Sequence, residues 1–137
     1  MTRRWLIAGL ATALLDGAFS SVLVTLFYGS TFASLWLGVA SAIHAHSVAI
    51  GLLLHVCVAL AWAALFVFVL DARTRMINTF ALAAIYGAFV WLTMSLAVMP
   101  LLFHRAPAIT ARWWLQFFGP MVFVGLPIVA LSRRNDV

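Results

Sequence analysis

The chain has 137 residues, 66% of them apolar and only 8% charged, with a mean hydropathy of +1.16. A soluble domain clothes its surface with roughly 25% charged residues, whereas here the whole inventory is eight Arg and three Asp, with neither Lys nor Glu. This excludes a water-soluble enzyme domain, a nucleic-acid reader despite a pI near 11.2, and a disulfide scaffold, since Cys57 is the only cysteine; the composition is that of a membrane protein.

The first apolar run extends from Trp5 to Tyr28 and is broken only by Asp16. At about 1.5 Å per residue its length matches a hydrocarbon core of about 30 Å. Arg3 and Arg4 ahead of this run, with Ala18-Phe19-Ser20 inside it, have some features of a cleavable leader, but the apolar character continues from Val22 to Phe27, as in an uncleaved signal anchor. Between Gly29 and His46 the residues Phe32, Leu35, Trp36, Val39 and Ile43 recur at helical spacing. They predict a short interfacial helix with Trp36 anchored at headgroup depth and Ser34, Ser41 and His44 on the opposite face; a re-entrant dip toward the bundle is the alternative.

Three more runs follow, Ser47 to Leu70, Thr79 to Phe103 and Trp113 to Ser132, joined by the short connections Asp71–Asn78 and His104–Arg112. The expectation is an all-α membrane protein: a bundle of four transmembrane helices (5–28, 47–70, 79–103 and 113–132) packed as antiparallel neighbours in one domain over 1–137. If the spans alternate, Arg3, Arg4, Arg73, Arg75, Arg133 and Arg134 share one side and only Arg105 and Arg112 take the other. The positive-inside rule then puts both termini in the cytoplasm, with Trp5 at the inner boundary and Tyr28, Trp113 and Trp114 at the outer one, where aromatic belts form.

Helix faces carry the next level of information. Steps of four from Gly9 give Ala13, Gly17, Ser21 and Thr25; the second span gives Gly51, His55, Ala59 and Ala63, and the third Ala83 and Gly87 before Trp91. Such ridges let membrane helices approach closely, so Gly9, Ala13, Gly17, Gly51, Ala59 and Gly87 are the predicted packing positions. Pro100, Pro120 and Pro127 are the predicted helix breaks, because proline removes a backbone donor and kinks or ends a helix. Gln116 with Trp113 and Trp114 either lines an entrance at the outer mouth or anchors a helix end.

Asp16 lies near mid-membrane, where insertion costs roughly 2.5–3.5 kcal/mol. It belongs to a second ridge, Thr12, Asp16 and Ser20, which should face the interior, and His55 is its natural partner by depth. The pair reads as a structural hydrogen bond, a proton relay or a cation site; alternatively Asp16 is protonated and bonded to neighbouring hydroxyls. His44, His46 and His104 on the outer side make a partial coordination shell for zinc or copper, and His46 with His104 make a b-haem pair if both are drawn into the bundle. No cofactor is predicted as a requirement, and a quinone is not called for.

The stretches Gly51-Leu52-Leu53-Leu54-His55, Tyr86-Gly87, Met94 through Pro100-Leu101, and Val124-Gly125-Leu126-Pro127 together resemble an uncharacterised family of small four-span bacterial inner-membrane proteins, broadly the YagU-like proteins. The resemblance covers most of the chain and implies a four-helix membrane fold and a bacterial source, without a settled activity. It also implies an amide and a histidine near the positions of Ser95 and Pro120; this chain departs at both, which would reduce any shared polar site to Asp16 and His55.

With no nucleophile, carboxylate pair or complete metal set, no enzyme is expected. The leading expectation is a non-catalytic subunit packed among other membrane proteins and the pigments or cofactors they hold. The alternative is a homo-oligomeric small transporter or channel whose permeant passes Asp16 and His55, and a second alternative is a metal or haem protein using the outward histidines.

Overall fold

The computed structural model describes residues 2–134. Among them are five helices, α1 (Thr2–Phe27), α2 (Phe32–Ile43), α3 (Val48–Arg73), α4 (Thr79–Phe103) and α5 (Ala111–Arg133). All but α2 are long and apolar enough to cross a membrane, and their ends fall within three residues of the apolar runs in the sequence. The chain is a multi-pass membrane protein with four spans and a short apolar helix between the first two. Side chains such as Leu14, Leu26, Phe80 and Leu101 stand on the outside of the bundle. In water they would be a liability; against lipid tails they are the ordinary surface.

Local chemistry sets the helix ends. Gly29, at φ +63°, supplies the left-handed turn between α1 and α2. Thr31 caps α2 by accepting the Ser34 N–H at 3.1 Å, and Asn78 Oδ1 caps α4 by accepting the N–H groups of Phe80 at 2.9 Å and Ala81 at 3.3 Å. At the far ends of α2 and α4 the chain stops on His44 (φ 59°) and His104 (φ 53°), both left-handed, a conformation that histidine tolerates better than most side chains.

The helices run through their prolines. The expected breaks at Pro100, Pro120 and Pro127 take the form of widened π-helical turns, Met94–Val98 just before Pro100 and Met121–Gly125 between Pro120 and Pro127. One extra residue in the turn makes room for a ring that cannot donate and that crowds the carbonyl four residues earlier. A third π turn, Phe66–Leu70, contains no proline. It follows the Trp62 carbonyl, which accepts the Tyr86 hydroxyl of α4 at 2.6 Å.

The two halves of the bundle are packed differently. Toward the end that carries Arg4, Arg75 and Arg133, a continuous core is built from Ala8, Ala63, Phe66, Tyr86, Ile128 and Val129, with others around them. Here α4 and α5 are in backbone contact: a methyl group on Gly125 would strike the Ala83 carbonyl, and one on Gly87 would strike the Pro120 carbonyl. The same end is tied by Arg133, which donates to the carbonyls of Ile77 (2.7 Å) and Thr74 and lies 3.8 Å from Asp71. The other half encloses a cavity and is closed on one flank by α2.

That flank differs from the sequence expectation. Trp36 is not an outward anchor; it is 2% exposed and turned into the groove between α1 and α3. Its backbone rests on Gly51, where any Cβ would collide with the Trp36 carbonyl, and its indole reaches Gly17 and stacks near His55 with ring centroids 5.1 Å apart. Against glycine backbone the large indole gains close van der Waals contact that an interfacial pose would lack, which favours the inward orientation of α2.

Candidate functional site

The site is built on α1. Thr12, Asp16 and Ser20, four residues apart, lie one above another on the same helix face, and all three line a cavity of about 300 Å³ between the helices. From α3, His55 reaches across to the same place because Gly17 has no side chain: a Cβ there would lie 3.3 Å from His55 Nε2. Nε2 donates to the Ala13 carbonyl at 3.1 Å and stands 3.8 Å from Asp16 Oδ2. The first is a hydrogen bond; the second is close enough for charge attraction and too long for a hydrogen bond. Both side chains keep about 20% of their surface exposed.

The rest of the lining is aromatic and soft, with Trp62 from α3, Trp91 and Met94 from α4, and Phe19 from α1 itself. Gln116 of α5 is the one amide on the lining. Two lining residues hold polar atoms that no neighbour satisfies: Thr12 Oγ1 and Trp91 Nε1 are buried without a hydrogen-bond partner. Leaving such a group dry costs about 1–3 kcal/mol. A protein interior tolerates that where water or a ligand completes the bonding.

The predicted packing positions serve contacts within this one chain. Gly9 faces Leu60 of α3, Ala13 offers its carbonyl to His55, Gly17 receives His55 and Trp36, Gly51 receives Trp36, and Gly87 receives α5. Ala59 is buried and lines the cavity. Gly119, against Phe19, and Gly125, against Ala83, act in the same way. Sequence reasoning passed over both, because each precedes a proline or a Leu-Pro pair and reads as a break.

At the end of the bundle opposite the arginine-rich one, Trp113 and Trp114 part company. Trp114 is 50% exposed, but Trp113 is buried and its Nε1–H donates to Ser95 Oγ at 2.5 Å. Trp113 is therefore an interior residue and not part of a belt, and the position where the resemblance implied an amide holds a hydroxyl that already has a partner. Tyr28 and Arg112 join α1 to α5 at this end, with the guanidinium carbon 3.5 Å from the ring centroid. His44, His46 and His104 are all exposed, and among the described residues no group of three His, Cys, Asp or Glu side chains comes together to hold a metal. Two of these three histidines are the helix-stopping residues described above.

No protein family, no curated protein and no solved structure matches the chain.

Proposed function

We propose that the chain is a small membrane carrier, working as a homo-oligomer, whose permeant is held in the cavity beside Asp16 and His55. The observation that carries this reading is the placement of an acid and a base 3.8 Å apart on the wall of a mid-bundle cavity that also holds unsatisfied polar groups. Intramembrane ionisable residues are costly and usually mark a path for ions, protons or substrates. The competing role, a subunit packed among foreign proteins, drew support from the small-residue ridges, and those ridges are occupied by contacts inside the chain. No step in this reading is catalytic. The arginine-rich end and the resemblance to the YagU-like proteins favour a bacterial inner membrane, with both termini in the cytoplasm.

The first test is the native mass and composition of the complex extracted gently through a C-terminal tag. The carrier reading expects copies of this chain alone, and stoichiometric foreign subunits overturn it. The second is flux in proteoliposomes: Asp16→Asn, nearly isosteric, should abolish pH-dependent transport while the protein still assembles. Unchanged pH-dependent flux would remove Asp16 from the path.

A further inference from the structure

We propose that the permeant is a lipophilic organic cation, an ammonium carrying an aromatic or alkyl group, and that it exchanges with a proton: Asp16 is neutralised either by the bound cation or by protonated His55, so that one cation entering sets one proton free. This rests on the carrier reading above and names its substrate class.

The ionisable residues on the cavity wall are Asp16 and His55. Asp16 from α1 and Trp36 from α2 lie beside His55, and Trp91 from α4 and Gln116 from α5 line the same cavity; Asp16 is the one acidic group among them. The carboxylate receives no hydrogen bond from any described residue, since His55 spends its Nε2–H on the Ala13 carbonyl. With His55 protonated it is held by charge alone, and a charge-only partner can be replaced by another of the same sign without breaking a hydrogen bond.

The aromatic part of the lining selects which cation does so. Trp62, Trp91 and Phe19 line the cavity, and aromatic rings attract ammonium groups most strongly where water is excluded. A calcium or magnesium ion would need about six or more oxygen ligands, more than Asp16, Thr12, Ser20 and Gln116 supply on this lining. An anion would meet the Asp16 carboxylate, and a neutral molecule would leave the acid–base pair as it stands. When the cation binds, the Asp16 charge is compensated twice over if His55 stays protonated, so the imidazole gives its proton to water and remains as the neutral donor to Ala13. Atoms and charge then balance: one cation in, one proton out.

The probe is benzyltrimethylammonium, with neopentylbenzene as its neutral isostere, titrated calorimetrically into the purified full-length protein while a pH indicator in weak buffer counts protons. The expected result is binding of the cation over its isostere, close to one proton released per cation, and affinity rising about tenfold per pH unit over the range in which the site is protonated. Asp16→Asn should lose at least about tenfold in cation affinity, whereas Asp16→Glu, which keeps the charge, should retain binding and proton release. His55→Gln should bind the cation with no proton release and with affinity independent of pH. Equal binding of the two probes, cation affinity unchanged in Asp16→Asn, or proton release that survives His55→Gln overturns the proposal. Selective binding of neopentylbenzene alongside Asp16-dependent flux overturns the cation class alone, while foreign subunits in the native complex overturn the carrier reading with it.

Discussion

Single residues decide where these helices touch. At Gly51 a methyl group would meet the Trp36 backbone, whereas at Gly38, on the outer face of α2, nothing lies within 4 Å. Gly51→Ala should therefore cost about 1–3 kcal/mol through overpacking, and Gly38→Ala should be neutral or gain up to about 1 kcal/mol from helix propensity; melting temperatures of the two variants in one detergent check the contrast. Trp113 and Ser95 make a second pair to test. Removing the indole N–H with Trp113→Phe, the hydroxyl with Ser95→Ala, and both together should give a coupling energy on the order of 1 kcal/mol in a double-mutant cycle, within the range for hydrogen bonds between membrane helices. Neither Trp36 nor Trp113 was legible as an interior residue. Tryptophan near a span end reads as a belt residue by frequency, and only the partner across the groove, Gly51 in one case and Ser95 in the other, turns it inward.

At the scale of elements the sequence was far more informative. The spans follow from run length, because a hydrocarbon layer imposes one length on every helix that crosses it. The facing of those spans was legible where small or polar residues marked it: Gly9, Gly51 and Gly87 lay on ridges, Thr12, Asp16 and Ser20 pointed to the interior, and His55 could be matched to Asp16 by depth. Where no ridge of small residues forms, as around Gly125 of α5, the face stays unmarked, although its partner Ala83 belongs to the ridge of α4. The connection between α3 and α4 shows a further role hidden in composition. Arg133 counts in the sequence as one of several topology charges, yet it is bonded to the carbonyls of Thr74 and Ile77 and faces Asp71. Arg133→Gln should cost about 1.5–3 kcal/mol, the range for hydrogen bonds to a charged group, and should open the 74–78 turn to proteolysis while an Arg134→Gln control stays resistant.

The whole molecule joins a closely packed half to a hollow one. The core around Phe66, Tyr86 and Ile128 is built of buried side chains packed on one another, while the cavity beside Asp16 takes up about 300 Å³. Tyr86 and Trp62 sit at the junction, held by the hydrogen bond from one to the carbonyl of the other. Empty volume is what hydrostatic pressure acts on, since a compressed state is favoured in proportion to the void it eliminates. The two halves should thus differ in compressibility. In a pressure series followed by indole NMR, the Trp62 and Trp91 signals should shift along curved paths as the hollow half collapses, and the Trp5 signal, beside Phe68 at the filled end, should move linearly. A chain of this size would then behave mechanically as a stiff base carrying a soft chamber, so that work done on the chamber by an occupant is taken up by the walls around it and not by the fold as a whole.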